Sequence, residues 1–275
     1  MKLSVVVPAY NEEKNLAETL ASLVGVLREE GVDFEVVVVN DNSRDRTPEV
    51  VLELMRAHPE IVLVNNTPPG GFGRAIRAGL ANFSGDAVAI VMADRSDDPR
   101  DLVRCFRELE KGYDCVFGSR FRPGSRVTSY PPLKLFVNRV VNKALQLMFW
   151  TPFNDLSNAF KVYRRSAIEG LGMLHACHFN ITIELSLGCV IRDYRISEIP
   201  ISWSGRTWGV SNLRLREMGR KYLATLLKIW LERLLIADDI HAETSRDRSR
   251  PQPPQRLDAR AGEATGESGG GGRDA

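Results

Sequence analysis

Cysteine is scarce in this 275-residue chain, four in all, and Cys105, Cys115, Cys177 and Cys189 form no CxxC and no zinc-type spacing. That excludes a disulfide-stapled scaffold and leaves the four as reduced, buried small hydrophobes. A charge of one sign is lacking too. Lys and Arg total 37 against 35 Asp and Glu, so there is no basic excess for a nucleic-acid footprint and no nucleic-acid partner is expected. No run of about 18 apolar residues exists, so nothing reads as a membrane span. Met1-Lys2-Leu3-Ser4-Val5 enters a strand pattern with no signal-peptide core, and a cytoplasmic location is expected. The first strand is followed by neither GxGxxG nor a P-loop, which argues against a dinucleotide-binding Rossmann site and a Walker-type ATPase.

What is present is a globular composition, 43% hydrophobic and 26% charged, in which strands and helices alternate. Strands are expected at Leu3–Pro8, Phe34–Val39, Ile61–Asn65, Ala87–Met92 and Asp114–Gly118. Helices are expected between them at Leu16–Leu27, Thr47–Ala57, about Phe72–Leu80 and Asp101–Lys111. The near-continuous run FEVVVV belongs in a parallel sheet covered on both faces. The whole reads as a doubly wound α/β sheet, and ligands of such sheets sit at the carboxyl ends of the strands.

Polar residues gather at those ends. Pro8, Tyr10, Asn11 and Glu12 follow strand one, and Asn40-Asp41-Asn42-Ser43 follows strand two. Ala93-Asp94-Arg95-Ser96-Asp97-Asp98 follows strand four and Ser119-Arg120 the fifth. Carboxylates at several strand ends suit ribose hydroxyls and a hard divalent cation, and Arg120 suits a diphosphate as a bidentate donor. Asp41, Ser43 and Asp45 read equally well as helix caps. His175 and His178, with Cys177 between them, read as a loop and not as a metal pair.

The set VVVPAYNEEKNL, VVVNDNSRDRT, GGFGRAIRAGL, VMADRSDDP, FGSRF, DLSNAFKVYRR and RTWGVSN resembles family 2 glycosyltransferases of the GT-A fold. Within that family it is most similar to polyprenyl-phosphate sugar synthases of the dolichyl-phosphate mannose synthase type. The resemblance covers about residues 3–215. It implies a GT-A, Rossmann-like, mostly parallel sheet flanked by helices, with C-terminal amphipathic helices. It also implies an inverting transfer of a sugar, mannose from GDP-mannose, to a polyprenyl phosphate. Pro8, Tyr10 and Glu12 would then line base and ribose, with Val39 and Asp41 at the base edge. Ala93 and Asp94 match the end of the family's Asp-Ala-Asp triplet, so Asp94 would bind Mg²⁺ or Mn²⁺. Arg120 and Arg206 would act on the donor and its diphosphate. Asp155, Asn158, Lys161, Tyr163 and Arg164 would cluster at the acceptor side, with Arg165 solvated and Glu184 in a positional role.

Three departures stand out. Met92 occupies the first Asp position of the triplet, Ser96 a metal-binding Gln position and Asn212 a diphosphate-binding Lys position. A thioether is a poor ligand for a hard cation, so Asp97 and Asp98 become candidate replacements, or else charges at the N-terminus of the next helix. Two other functions stay open: transfer from a UDP-sugar to a polysaccharide or other hydroxyl, and an inactive nucleotide-sugar-binding relative. The absence of QxxRW counts against polymer synthesis.

The segments Leu133–Trp150 and Leu213–Ile236 repeat apolar residues at helical spacing, the second within a stretch of seven basic and two acidic residues. Each is expected either to pack on the domain or to lie on an anionic membrane surface. The expected protein is peripheral at the cytoplasmic face, handing product to a separate membrane protein. The domain is placed at 1–240. From 241 to 275 the composition turns to Arg, Asp, Glu, Pro, Gly and Ser, with Leu257 as the one large aliphatic residue, and disorder is expected there.

Overall fold

The computed structural model describes residues 1–205, 215–235, 237–240 and 242. Arg206, Asn212 and nearly all of the expected tail lie outside the described residues.

Seven strands form one sheet in the order β3-β2-β1-β4-β7-β5-β8. They are β1 (Lys2–Ala9), β2 (Asp33–Asn40), β3 (Ile61–Asn65), β4 (Ala87–Ile90), β5 (Cys115–Ser119), β7 (Lys161–Arg164) and β8 (Ile196–Pro200). All pairings are parallel except those of β7, which runs antiparallel between β4 and β5. A small parallel pair, β6 (Arg126–Thr128) with β9 (Ser202–Ser204), stands beside it. The sheet is mostly parallel and flanked by helices, as expected.

Helices α1 (Leu16–Glu29), α2 (Thr47–Ala57) and α4 (Pro99–Glu110) cover one face, and α3 (Phe72–Asn82) with α7 (Ile181–Ile191) the other. A short α6 (Arg165–Gly170) follows β7. Burial on both faces explains the Val-rich strands: Val5, Val6, Val7, Val36 and Val38 are fully buried. Gly79 lets α3 lie directly on β1, since a Cβ there would meet Val6 Cγ1 at 2.3 Å.

Two helices flank the second half of the sheet, α5 (Pro132–Phe149) and α8 (Leu215–Leu235). On α5 the polar stripe packs inward. Asn142 is buried and donates through Nδ2 to Asn138 Oδ1 at 2.8 Å and to Ser157 Oγ at 2.9 Å. The apolar stripe faces out, with Leu133 75% and Phe136 66% exposed, while Leu145 and Phe149 at its C-terminal end reach the core. Helix α8 packs on α7, burying Ile229 and leaving Leu223, Leu227, Leu231 and Leu234 exposed. Among the described residues no helix is long and apolar enough to cross a membrane.

Cys105, Cys115 and Cys189 are buried thiols as expected, but Cys177 is only half-buried.

Candidate active site

Strands β2, β1 and β4 are adjacent and parallel, so the turns that leave them converge on one rim of the sheet. Each turn contains a non-glycine residue in the left-handed region: Asn11 (φ 54°), Asn42 (φ 63°) and Arg95 (φ 62°). Such conformations persist where surroundings over-determine them, and they gather at functional sites.

The first two turns are stitched together. Asn11 Oδ1 accepts from the Arg44 amide at 2.8 Å, and the Glu12 amide donates to Thr47 Oγ1 at 2.9 Å. Glu12 itself is buried, its Oε2 accepting from Asn15 Nδ2 at 2.9 Å. Tyr10 stands open at the rim, 42% exposed. Pro8 is buried within β1 in register with Val39, whose side chain is fully buried in the core. Asp41 is committed locally: Oδ1 accepts from Asn66 Nδ2 and Oδ2 from the Gly71 amide, both at 2.7 Å. Its carboxylate therefore ties the 66–71 turn to the rim.

The third turn carries Ala93 and Asp94, both buried. Ala93 O accepts from Thr19 Oγ1 at 2.9 Å, and Asp94 Oδ1 from the Ser96 amide at 3.2 Å. Both proposed replacements for the missing triplet carboxylate are engaged by main-chain amides of the turn. Asp97 Oδ2 accepts from the Met92 amide at 3.1 Å, and Asp98 caps α4 by accepting from the Arg100 amide at 2.9 Å. Burial pushes the Asp97 carboxyl up to about 7, against the Met92 amide, and the nearby Asp94 charge adds to it. Ser96 is buried in the same turn as Asp94. Among the described residues no group of three or more His, Cys, Asp or Glu could hold a metal. One carboxylate is nonetheless a workable anchor for Mg²⁺ or Mn²⁺, since Mg²⁺ is bound through one or two carboxylates together with substrate phosphates and water.

Arg120, at the end of β5, is already engaged. Its Nε and Nη2 bind the two oxygens of Asp155 at 2.8 Å each, and its backbone amide binds Asp155 Oδ2 at 3.0 Å. The fork assigned from sequence to a diphosphate is thus spent on a carboxylate, which holds the guanidinium charged well above its ordinary range despite burial. Three rings surround it, Phe121 at 5.3 Å, Tyr130 at 5.8 Å and Trp203 at 5.9 Å.

The expected acceptor-side cluster divides. Asp155, Asn158 and Lys161 lie beneath Arg120, Asn158 Nδ2 donating to Gly118 O at 2.9 Å. Lys161 is buried with its ammonium on the carbonyls of Asp155, Leu156 and Asn158, and burial lowers it to about 7. Tyr163 and Arg164 do not belong to it. β7 runs antiparallel, so Tyr163 is buried in the core and Arg164, level with Ala87 at the start of β4, bonds Tyr113 O at 2.7 Å on the opposite rim. Arg165 is partly solvated, but it is also anchored: it donates to Gly85 O and Phe83 O and stacks 4.1 Å from the Phe83 ring. Glu184 is positional as expected. It accepts from the amides of His175 and Ala176 and pairs with Lys228 of α8 at 3.3 Å.

Comparison with known proteins accords with this geometry. The chain is similar to a dolichol-phosphate mannosyltransferase of Pyrococcus furiosus, 28% identical over 78% of this chain, though it spans only 60% of that protein. It is also 28% identical to a polyprenol monophosphomannose synthase of Mycolicibacterium smegmatis, over 76% of this chain and 80% of the other. Among solved structures, glucosyl-3-phosphoglycerate synthase of Mycobacterium tuberculosis in complex with UDP superposes with a TM-score of 0.63. It is 22% identical and covers 83% of this chain and 80% of that one, a likeness of GT-A fold. The glycosyl transferase family 2 model matches residues 4–172, more than half of the sequence, and the chain belongs to that family of glycosyltransferases.

Proposed function

We propose that the protein transfers a sugar from a nucleotide-diphosphate donor to a polyprenyl phosphate at a membrane surface, with GDP-mannose as the donor. The relatives named for dolichol-phosphate and polyprenol-phosphate mannose transfer support this product class. The structural observation that carries it is the link between α5 and Arg120. Phe121 lies against Arg120 on one side and 5.4 Å from Arg139 of α5 on the other. Tyr130 likewise lies against Arg120 and 5.9 Å from Lys134. Cations therefore lead from the strand ends to a helix whose apolar stripe faces outward, which suits a phosphate head with a hydrocarbon chain.

The chemistry follows from charge. A phosphate monoester with its second pKa near 6 is mostly dianionic at neutral pH and attacks without a general base. Single displacement then inverts the anomeric carbon. Asp94 would hold Mg²⁺ or Mn²⁺, which when bound neutralises charge on the departing diphosphate. Asp155 keeps Arg120 charged and fixed at the same rim, and the enclosing rings keep water from it. The exposed stripe of α5, flanked by Lys134, Arg139 and Lys143, would rest on anionic lipid at the cytoplasmic face, with product passed to a separate membrane protein.

A second reading, a UDP-sugar donor and a hydroxyl acceptor, draws on the UDP complexes of the structural neighbours, and Met92, Ser96 and Asn212 motivate a third, an inactive nucleotide-sugar-binding relative. A hydroxyl acceptor needs a base to take its proton. Labelled GDP- and UDP-sugars offered with polyprenyl phosphate and vesicles separate the two. Counts in the organic phase from GDP-mannose support the first reading. Counts confined to UDP-sugars and a water-soluble acceptor establish the second, and no transfer from any donor marks an inactive relative.

A further inference from the structure

The 155–158 turn, which leads towards β7, aims three main-chain carbonyls at one point, and the Lys161 ammonium occupies it. Lys161 Nζ donates to Asp155 O at 3.3 Å, to Leu156 O at 3.2 Å and to Asn158 O, and the side chain is buried. An ammonium has three donors and no acceptor, so all three are used on main chain. Buried carbonyls aimed at one point are costly without a donor between them.

The same turn presents the carboxylate that meets Arg120. Both oxygens of Asp155 face the guanidinium, so the direction of the arginine fork depends on where the Asp155 main chain lies. Two other contacts hold the turn: Asn158 Nδ2 to Gly118 O and Ser186 Oγ of α7 to Leu156 O, both at 2.9 Å. Neither reaches the Asp155 carbonyl, which accepts from Lys161 and, at 3.4 Å, from the Asn158 amide. The charged and titratable groups facing the ammonium are Asp155, Arg120, Glu198 of β8 and Cys189 of α7, with the Phe117 ring of β5 at 5.1 Å. Glu198 accepts from the Asn154 amide at 2.9 Å and Asp155 from Arg120, so the ammonium is committed to carbonyls and not to a carboxylate.

We infer that Lys161 is a positioning residue for Arg120: it fixes the Asp155 main chain so that the carboxylate meets the guanidinium with both oxygens. The inference rests on the reading that Arg120 serves sugar transfer. With its donors spent on main chain, Lys161 acts on the rim only through Asp155. A shift of the turn by about 1 Å would swing the fork, and misplacement of that size can cost a reaction roughly 10²-fold.

Nitrogen-15 NMR of the arginine Nε–H groups tests this on the full chain. The Arg120 Nε–H, held by Asp155 Oδ2 at 2.8 Å, should give a signal protected from water, assigned by its loss in Arg120→Lys. In Lys161→Met that proton should exchange about tenfold faster or more, while far-UV circular dichroism shows a folded chain. In the transfer assay the same variant should lose about tenfold or more in kcat with the donor KM within about twofold, the pattern of an interaction made in the transition state. An unchanged Arg120 signal, or an unchanged kcat, in the folded variant overturns the inference. Lys161→Gln, which keeps two donors, takes its place if the Met variant does not fold. Failure of both to fold also overturns it, since the residue would then hold the fold at large. A parent chain that transfers no sugar from any donor sinks the reading of Arg120 instead, and the exchange rate still decides whether Lys161 holds that side chain.

Discussion

Arg120 and Asp155 hold one another through three hydrogen bonds, two side-chain contacts of 2.8 Å and one backbone contact of 3.0 Å, with Asp155 fully buried. A pair this buried is costly to break from one side, because the remaining charge is left without water or partner. Asp155→Ala should therefore destabilise the protein by about 3–5 kcal/mol, and Arg120→Met by a similar amount. Removing both charges, as Arg120→Met with Asp155→Leu, should cost clearly less than the sum. Denaturant melts of the three variants check this, and strict additivity would show that the two side chains act independently.

Asp94→Asn keeps the shape of the turn and removes the charge available to a cation. Turnover should fall roughly 10²-fold or more, by analogy with loss of a preorganised electrostatic contact, while the melting temperature stays within a few degrees. If the variant turns over within about threefold of the parent at saturating Mg²⁺ or Mn²⁺, Asp94 acts only by fixing the turn through Ser96.

Two buried groups set opposite slopes of stability against pH. Asp97 has its folded value raised from 3.8 to about 7, so the folded state keeps a proton that the unfolded chain has lost. Stability should then fall as pH rises from about 4 to 7. Lys161 is lowered from 10.5 to about 7, so above neutrality the unfolded chain holds the extra proton and stability should rise towards pH 10. Asp97→Asn should flatten the acidic limb alone. Urea midpoints measured across pH 4–10 decide it.

Membrane attachment can be tested on α5. Lys134, Arg139 and Lys143 changed together to Gln should weaken binding to anionic vesicles by about 1 kcal/mol per charge, with little change on neutral ones. Leu133→Ser with Phe136→Ser should weaken binding to both. Sedimentation that does not change in either variant would leave the outward apolar stripe to another partner.

The first five strands were legible because each is a short β-branched run bounded by turn residues, and their ends located the site rim. β7 was not, since Lys161 and Tyr163 read as polar function when one anchors a loop and the other fills the core. Nor could periodicity tell which face of α5 packs inward. The inward stripe is chosen by Ser157, fifteen residues beyond Asn142, whose amide donates to Asn142 Oδ1 at 3.1 Å. Asp97 and Asp98 were credible as extra metal carboxylates from spacing alone. Only the turn geometry assigns them to the amides of Met92 and Arg100.

That turn also explains how a methionine can stand where the family resemblance implies an acid. Position 92 contributes its amide to the Asp97 carboxylate, and any residue but proline supplies an amide. The scaffold of the rim is written in main chain, so the side chain at 92 is released from maintaining it. Drift at this position then changes what the site holds without changing the shape of the site, and substrate preference can evolve at 92 at little cost in folding.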